Sequence, residues 1–490
     1  MGRNKRSRPK RTSPYQQGNM FACGSTRSGK SVAKVNDVVA AASKRDVAVV
    51  VCDPHPNSLA WNSFIQLMAR GHGGRIIYDQ LTNFNRVPAY QFLAASKARN
   101  SLRRDSLNEQ AAVQFADILC RRGGRGTLSS TPLTEEWTMK ACRLMLNQRS
   151  PLPASDMRFA FQPRHNVQRR LIAGCTDPVT KFEFEQIASG KIKRGVYSSA
   201  ARLIESVCGS PAFRARCGQS FDIAGFLDDA GILLVEGGED GVAPEVAQTI
   251  MATTVMKVIN YVRQRAKPFP RVLLVLDEAT NANLVSSHET RAMAECQKMG
   301  LDIHVLVQLL DFPSADICNG VLSNSIRHEW FYNANPNVIR KAVDDLGFSF
   351  ESDKGSLIRS LKVGERWVKH RGRQRERVWR EQVEMMANPW VFPRLAYKKA
   401  KKLLHQIRQR PEYQSPIEQA VVTSNEEAPR LPEPGASAAG NMQRLLGGPF
   451  DRPPAGDDVD DANDHVSDAD DHGDENANDH PNDGAEKGDA

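Results

Sequence analysis

The chain has 490 residues, more than one ordinary hydrophobic core accommodates, so its length predicts two or three domains. Its net charge of +9 conceals a strong asymmetry: residues 451–490 contain fifteen Asp and Glu against two Lys and Arg, which leaves +22 on the first 450 residues. Such a basic body favours a polyanionic partner, nucleic acid before membrane, with plain solvated charge as the alternative. No apolar run approaches the ~18 residues of a membrane span, so we expect no transmembrane segment.

The cysteines and the N-terminus indicate a cytoplasmic protein. The nine cysteines are scattered and contain no CxxC pair, which favours reduced thiols over a zinc site or a disulfide framework. Residues 1–17 begin MGRNKRSRPKRT, and no hydrophobic stretch follows that would make them a secretory signal. This basic N-terminal arm either touches phosphates or serves as a solubilising tail.

A phosphate-binding loop opens the folded region. Residues 24–31, GSTRSGKS, fit GxxxxGK[ST] at every fixed position, between a predicted strand at 19–23 and a predicted helix at 32–42. The glycines let backbone amides face the phosphates of a nucleotide, while Lys30 neutralises the β- and γ-phosphates and Ser31 binds Mg²⁺. The alternative is a chance match in a surface turn, which the flanking elements disfavour. The predicted nucleotide-binding residues are Gly24, Ser25, Thr26, Arg27, Ser28, Gly29, Lys30 and Ser31.

The order of further elements predicts an α/β fold with a doubly wound, mostly parallel sheet. Apolar strands are expected at 46–52 and 75–79, and again at 231–236, 272–276, 302–308, 329–332 and 366–369, with a long helix at 244–265. Between the two groups, helical periodicity predicts an all-α insertion. The predicted parts are an ATPase core at 18–87 and 221–385, an insertion at 88–220, a basic helical extension at 386–410 and a disordered acidic tail at 411–490.

Two further strand ends carry candidate catalytic side chains. The strand RVLLVLDEA ends in Asp277 and Glu278, where an Asp completes the Mg²⁺ site and the next carboxylate polarises the attacking water. An ordinary acidic turn is the alternative, which the upstream phosphate loop disfavours. Gln308 ends DIHVLVQ and is either a sensor near the γ-phosphate or an ordinary strand-end residue. The predicted catalytic residues are Glu278, Asp277, Gln308 and Lys30, with Ser31 and Asp277 as Mg²⁺ ligands.

The succession GSTRSGKS, VVVCDPH, a helical insertion, LLVLDEA and KMGLDIHVLVQ resembles the FtsK/HerA superfamily of hexameric DNA-pumping ATPases over about residues 18–370. The insertion and SSAARLIESVCGSPAFRARCGQSFDIAGFL are most similar to the soluble part of type IV coupling proteins of conjugation, whereas Asp53-Pro54-His55 is closer to HerA. The resemblance implies a RecA-like core, a homo-hexameric ring, ATP and Mg²⁺ at subunit interfaces, and DNA in the channel.

The resemblance is incomplete at the arginine that reaches the neighbouring subunit's nucleotide. Its expected position, three residues before Gly300, holds Gln297. Arg291 and Lys298 are the possible trans-acting residues, although a lysine lacks the planar fork of arginine. Either the arginine is displaced, or the ATPase is slow. The membrane helices typical of coupling proteins are also missing from the N-terminus, so a membrane-channel or relaxosome protein would have to recruit the chain to the inner face of the membrane.

Residues 366–380, RWVKHRGRQRERVWR, are the strongest local signal for DNA contact, with Arg371, Arg373 and Arg375 as possible contacts. The alternating charges also suit a terminal hairpin with one solvated face. We favour this structural interpretation over DNA contact. The acidic tail acts as a DNA mimic, a docking segment or a solubilising segment.

These features predict a cytoplasmic, Mg²⁺-dependent ATPase that translocates DNA, most simply in conjugative transfer of a mobile element. Viral genome packaging or HerA-like DNA processing is the alternative. A nucleotide-gated adaptor for DNA or protein, with little turnover, is the alternative of another class.

Overall fold

The computed structural model describes residues 17–96, 100–121, 131–238, 241–348, 355–372, 375–383, 395 and 397–414. Most of the predicted N-terminal arm, residues 1–16, and the predicted acidic tail from residue 415 lie outside the described residues. The strands are β1 (Met20–Cys23), β2 (Val47–Asp53), β3 (Ile76–Gln80), β4 (Val87–Pro88), β5 (Ile232–Glu236), β6 (Arg271–Leu276), β7 (Leu301–Val307), β8 (Arg327–Phe331), β9 (Glu365–Arg371), β10 (Glu376–Gln382) and β11 (Tyr413–Gln414).

Helices connect most of these strands. They are α1 (Lys30–Ala42), α2 (Leu59–Ala69), α3 (Ser101–Cys120), α4 (Pro132–Leu146), α5 (Asn166–Gly174), α6 (Pro178–Ala188), α7 (Arg194–Cys208), α8 (Pro211–Arg216), α9 (Ile223–Asp228), α10 (Pro244–Gln264), α11 (Ser287–Glu295), α12 (Ala315–Asn324), α13 (Pro336–Asp345), α14 (Gly355–Arg359) and α15 (Tyr397–Ile407). Short 3-10 helices cover His72–Arg75, Ala154–Phe159 and Gln297–Met299.

The central sheet has nine strands in the order β10-β9-β8-β1-β7-β6-β2-β5-β3. Pairing is parallel from β3 through to β8 and antiparallel only for β8 with β9 and β9 with β10. The predicted α/β fold with a doubly wound, mostly parallel sheet is therefore confirmed. The antiparallel end is a hairpin, so residues 365–382 extend the sheet without a crossover helix.

The inner strands are apolar on both faces because helices cover both sides of the sheet. All seven residues of β2, VAVVVCD, are buried, and so are all seven of β7. Continuous β-branched and aliphatic runs of this kind are the sequence signal that predicted these strands. The sheet thus forms the rigid base from which the loops at its carboxyl edge project.

Helices α3–α8 lie between β4 and residue 221, in the range predicted as an insertion. Side chains cap the starts of α3, α4, α5 and α6; at α4, Thr131 accepts from a backbone amide ahead of a proline at the first helical position. The insertion has an aromatic centre, in which Trp137 meets Phe161, Phe184 and Tyr197 edge-on at ring separations of 6.2–6.3 Å.

A buried ion pair ties this insertion to the sheet. Arg216 of α8 donates to Oδ1 of Asp79 from Nε at 2.9 Å and from Nη2 at 2.8 Å. The hydroxyl of Tyr90 donates to the other oxygen of the same carboxylate at 2.8 Å. Because both charged side chains are fully buried, the satisfied geometry fixes the insertion against the end of β3.

The described chain ends against the opposite edge of the sheet from the hairpin. The two-residue strand β11 pairs antiparallel with β4, and Tyr413 is 2 % exposed. Residues 411–414 are therefore anchored, which moves the start of the predicted acidic tail beyond them. The predicted basic helical extension contains α15, whose Ala400, Leu404 and Ile407 are buried.

Candidate nucleotide-binding site

Three chain segments that sequence patterns single out meet at the carboxyl edge of the sheet. The phosphate loop, residues 24–31, follows β1, Gln308 follows β7, and Asp277 with Glu278 follows β6. Because β1, β7 and β6 are adjacent parallel strands, their carboxyl ends lie side by side. Ligands of open α/β sheets bind at this edge.

The phosphate loop depends on glycine at two points. Gly29 has φ +103° at the N-terminus of α1, and a Cβ there would lie 2.8 Å from Cα of Gly364. A Cβ at Gly24 would lie 2.5 Å from Cβ of Phe331. Since larger side chains at either position would collide with backbone or β8, the loop keeps its tight turn and its amides at the helix N-terminus.

Lys30 and Ser31 face the carboxylates that follow β6. The ammonium of Lys30 donates to the carbonyl of Gly24 and lies 3.8 Å from Oε1 of Glu278, with 5 % of its side chain exposed. The hydroxyl of Ser31 donates to Oδ2 of Asp277 at 3.4 Å. The predicted Mg²⁺ ligands therefore lie together, and both offer the hard oxygen atoms that Mg²⁺ prefers.

Burial changes the protonation of Asp277. Burial, reinforced by the nearby charge of Glu278, raises the pKa of Asp277 to about 6, and the charge of Lys30 opposes this rise. The backbone amide of Glu278 donates to Oδ1 of Asp277 at 3.0 Å, which holds the carboxylate in place. A bound cation would favour the ionised carboxylate that its coordination requires.

Glu278 is held by its backbone conformation and by two amides. Its φ of +45° lies in the left-handed region, which is uncommon for a residue with a side chain and is found at functional turns. Gln308 donates from Nε2 to Oε1 of Glu278 at 2.8 Å, and Asn281 donates to Oε2 at 3.4 Å. Gln308 also accepts a hydrogen bond from the hydroxyl of Thr26 at 3.1 Å.

A carboxylate that was not predicted as a site residue lies on the next strand. Asp53 ends β2 and is fully buried, and its oxygens accept from the amides of His55 at 3.0 Å and Ala60 at 2.8 Å. Burial and the charge of Asp277 raise its pKa well above the usual range. Asp53 therefore shapes the loop into α2, and the DPH triplet after an apolar strand was its only sequence signal.

Of the possible trans-acting residues, Lys298 lies at the other edge of the sheet and Arg291 lies in the middle of α11. Lys298 is in the 3-10 turn that leads into β7, whereas the phosphate loop follows the carboxyl end of β1 beside it. The seven residues of β7 separate these positions by about 20 Å. Lys298 therefore does not belong to this chain's own site, and both Arg291 and Lys298 are exposed.

The basic hairpin of β9 and β10 divides into paired and exposed arginines. Arg371 lies 3.3 Å from Glu376 and 3.8 Å from Asp345, and Arg366 pairs with Glu329 and Glu381. Arg375 is exposed at the hairpin turn. Arg373 lies outside the described residues. Much of the basic charge of this hairpin therefore has a structural partner within the chain.

The sheet order, the phosphate loop and the carboxylates beside it define a P-loop ATPase fold. No protein-family model matches the chain, and no curated protein matches it. Several solved structures are similar to it. One is an unbound form of the bacterial conjugative coupling protein TrwBdeltaN70, which is 15% identical to this chain and gives a TM-score of 0.54. The match covers 75% of this chain and 84% of that chain.

The plasmid coupling protein TrwB in complex with ADP and Mg²⁺ gives a TM-score of 0.54 at 14% identity, covering 81% of this chain and 88% of that chain. VirB4 of Thermoanaerobacter pseudethanolicus gives 0.48 at 13% identity, over 78% of this chain and 92% of that chain. The two TrwB structures show that the chain shares their fold, which is the fold that the resemblance found in the sequence implies. Across the described ranges, no helix has the length and apolar character needed to cross a membrane.

Proposed function

We propose that the protein hydrolyses ATP with Mg²⁺ and uses the energy to move DNA, most simply as a coupling-protein-like motor of conjugative transfer. The likeness of the fold to TrwB, a conjugative coupling protein, supports the choice of process. The proposal that ATP is hydrolysed rests on one observation: hydrogen bonds connect Thr26 to Gln308 and Gln308 to Glu278, across three separate chain segments. A loop that only bound nucleotide would not need an oriented carboxylate beside the phosphates.

The residues divide the work of hydrolysis between binding and proton transfer. Backbone amides of residues 24–31 and the ammonium of Lys30 bind the phosphates and neutralise their developing charge. Glu278, oriented by Gln308, accepts the proton of the attacking water. Ser31 and Asp277 are the residues that would hold Mg²⁺, which supplies charge neutralisation on the β- and γ-phosphate oxygens when bound.

A ring of subunits completes the proposal: among the described residues of this chain's own site, the loop residue Arg27 is exposed, and a further cation on the γ-phosphate would come from a neighbouring subunit. We infer that Arg291 or Lys298 of a neighbouring subunit supplies that charge, as both are exposed. A homo-hexamer around DNA fits the fold class. A membrane-channel or relaxosome protein would recruit it, and a cytoplasmic site of action is part of the same proposal.

The test compares DNA-stimulated ATP hydrolysis by the wild type, Glu278→Gln and Glu295→Gln. Glu295 ends α11 at the other edge of the sheet, so the same chemical change there controls for lost charge. We expect hydrolysis to fall at least ~10²-fold in Glu278→Gln alone. Equal rates in the wild type and Glu278→Gln, with DNA present, would favour the nucleotide-gated adaptor, for which Gln297 at the arginine position is the supporting observation.

DNA contact is tested on the hairpin with a matched pair of variants. Arg375→Ser removes an exposed charge, whereas Arg371→Ser breaks contacts with Asp345 and Glu376. If the hairpin lies on DNA, Arg375→Ser weakens DNA binding and reduces the salt dependence of log K by about 1, while the free energy of unfolding is unchanged. Arg371→Ser should lower the free energy of unfolding, because it removes the contacts with Asp345 and Glu376. An unchanged salt dependence in Arg375→Ser would place the DNA elsewhere.

The biological process that the ATPase serves needs a test separate from that of ATP hydrolysis. Genome packaging and HerA-like end processing use the same hydrolysis, so the ATPase assay does not distinguish them from conjugative transfer. A transfer assay with a mobilisable plasmid does, because Glu278→Gln should then abolish transfer while plasmid replication continues. Normal transfer with the inactive variant would favour packaging or end processing.

A further inference from the structure

A polar cleft of about 540 Å³ lies where the helical insertion joins the core, away from the phosphate loop. We call it the junction cleft. Helix α3 of the insertion forms one wall and α10 of the core forms another, and both segments that connect insertion and core, at 90–96 and 219–224, complete it. Small-molecule sites are commonly of this volume and lie at such junctions.

The side chains of the junction cleft are unusually rich in amides. On α10, positions 257, 260, 261 and 264 share one face, and positions 107, 110 and 114 of α3 share another. Aromatic and aliphatic groups, including the buried Phe221, form the floor. The amides that line the cleft are Gln91, Gln110, Gln114, Gln219, Asn260 and Gln264.

Among the described residues that line the cleft, Lys257 alone carries an ammonium, and its side chain is partly buried. Within the described part of the chain, it forms no hydrogen bond or ion pair, and Asp222 is the charged group that acts on it. Asp222 is exposed and already accepts a hydrogen bond from the amide of Ala224 at 3.0 Å. Burial lowers the pKa of Lys257 to about 8, and the charge of Asp222 opposes this shift.

These groups together specify the chemistry of an occupant. An ammonium surrounded by amide N–H donors suits a phosphate group, and glutamine or asparagine amides pair with the hydrogen-bonding edge of a base such as adenine. The apolar floor suits the face of a flat ring. We propose that the junction cleft binds a nucleoside monophosphate, either free or as the 5′-phosphorylated end of a DNA strand, with Lys257 on the phosphate.

The junction cleft lies between insertion and core, so a bound ligand would contact both parts. A ligand that contacts α3 and α10 together would add to the contacts between insertion and core, which include the ion pair of Arg216 with Asp79 and the hydrogen bond from Asn260 to Gln114 at 2.8 Å. Binding would therefore restrict the movement of the insertion relative to the sheet. This inference does not depend on hydrolysis at the phosphate loop.

Calorimetric titration of the full chain tests the proposal, with the phosphate loop first saturated with Mg²⁺ and ADP so that it does not contribute. The titrants are adenosine 5′-monophosphate, adenosine, inorganic phosphate and a 5′-phosphorylated oligonucleotide. We expect the monophosphate to bind at least tenfold more tightly than adenosine or phosphate alone. Tighter binding of the oligonucleotide than of the monophosphate would identify a DNA end as the natural source, and the reverse order would identify the free nucleotide.

Variants assign the binding to the cleft. Lys257→Met keeps the aliphatic stem and should weaken monophosphate binding at least tenfold, and Gln110→Leu, at an exposed position of α3, should weaken it severalfold. The control Lys267→Met removes an exposed lysine beyond the end of α10 and should bind like the wild type. Basal ATPase should be unchanged in all three, and Glu278→Gln should keep the binding. No monophosphate binding, or equal binding by the wild type and Lys257→Met, overturns the proposal.

Discussion

The side-chain amide of Gln308 joins two separate parts of the site: its nitrogen donates to Oε1 of Glu278 at 2.8 Å, and its oxygen accepts from the hydroxyl of Thr26 at 3.1 Å. Thr26 belongs to the phosphate loop, while Glu278 is the candidate base. One side chain thus connects the phosphate loop to this carboxylate. The connection is what a sensor of bound phosphate would need, and that role for Gln308 stays a prediction.

Replacing Gln308 should impair hydrolysis more than binding. In Gln308→Leu, the carboxylate of Glu278 loses its orienting donor, so we expect kcat for ATP hydrolysis to fall about 10²-fold while affinity for ADP changes less than about threefold. The matched change Gln297→Leu, in the 3-10 turn before β7, should leave both near wild type. A loss of ADP affinity as large as the loss of kcat would show that Gln308 serves the shape of the loop instead.

Asp277 should make nucleotide binding depend on pH. Because its pKa is raised to about 6, lowering the pH through 6 protonates a ligand that Mg²⁺ requires ionised. We expect the affinity for ADP in the presence of Mg²⁺ to fall between pH 7 and pH 5, and the affinity in EDTA to change much less. Calorimetry at fixed ionic strength measures both. Parallel pH profiles with and without Mg²⁺ would contradict this role for Asp277.

The same group has a predictable effect on stability. A carboxyl whose pKa is higher in the folded chain binds protons more tightly there, so its contribution to stability increases as pH falls from about 6 towards 4. Relative to Asp277→Asn, the wild type should therefore gain on the order of 3 kcal/mol across that window. Chemical denaturation of both proteins at several pH values measures this difference, which cancels the titration of all other groups. A difference that stays constant with pH would contradict the raised pKa.

A buried ion cluster connects the helix after the phosphate loop to the basic hairpin. Glu329 of β8 lies 3.1 Å from Lys34 of α1 and 2.6 Å from Arg366 of β9, and all three are buried. Burial raises the pKa of Glu329, but the charges of Arg366 and Lys34 outweigh it and hold that pKa well below its usual range. The cluster ties α1 to the sheet one turn after Lys30.

Removing Glu329 should be costly because Lys34, Arg327 and Arg366 all lose a fully buried carboxylate partner, and only the more exposed Asp37 and Glu381 remain to pair with them. We expect Glu329→Gln to lower the free energy of unfolding by about 3–5 kcal/mol. The double variant Glu329→Gln with Lys34→Met removes one stranded charge and should recover part of the loss. Denaturant unfolding monitored by circular dichroism checks both. If the double variant is less stable than Glu329→Gln, the ammonium of Lys34 is satisfied by other groups, such as Asp37.

The sequence predicted those features of fold and site that short patterns encode. GSTRSGKS, the strand ending in Asp277 and Glu278, and Gln308 each carry a local signature, and parallel strand order brings them together at one edge. Apolar runs likewise located β1–β3 and β5–β8 to within a residue or two, because buried parallel strands need apolar residues on both faces; the short β4 and β11 were not predicted.

Sequence patterns could not predict which residues distant in the chain form pairs. The cluster of Lys34, Glu329 and Arg366 joins residues about three hundred positions apart, and nothing local marks a buried charge as paired. For the same reason, the arginines of the hairpin looked equivalent in the sequence, although Arg366 and Arg371 contact carboxylates of the same chain while Arg375 is exposed. Composition also extended the predicted tail over Tyr413, whose partner is 335 residues away.

Tyr413 protects the edge of the central sheet. Its hydroxyl accepts from the amide of Tyr78 at 2.7 Å and donates to the carbonyl of the same residue at 3.1 Å, on the side of β3 that faces no other strand of the sheet. Tyr413→Phe leaves both backbone groups buried without these bonds, so we expect a loss of about 1–3 kcal/mol in the free energy of unfolding. Tyr397→Phe, on a ring that is 53 % exposed, should change stability by less than about 0.5 kcal/mol. Hydrogen exchange provides the decisive measurement: the Tyr78 amide should exchange faster in Tyr413→Phe, and unchanged protection would mean that the edge is covered by other groups.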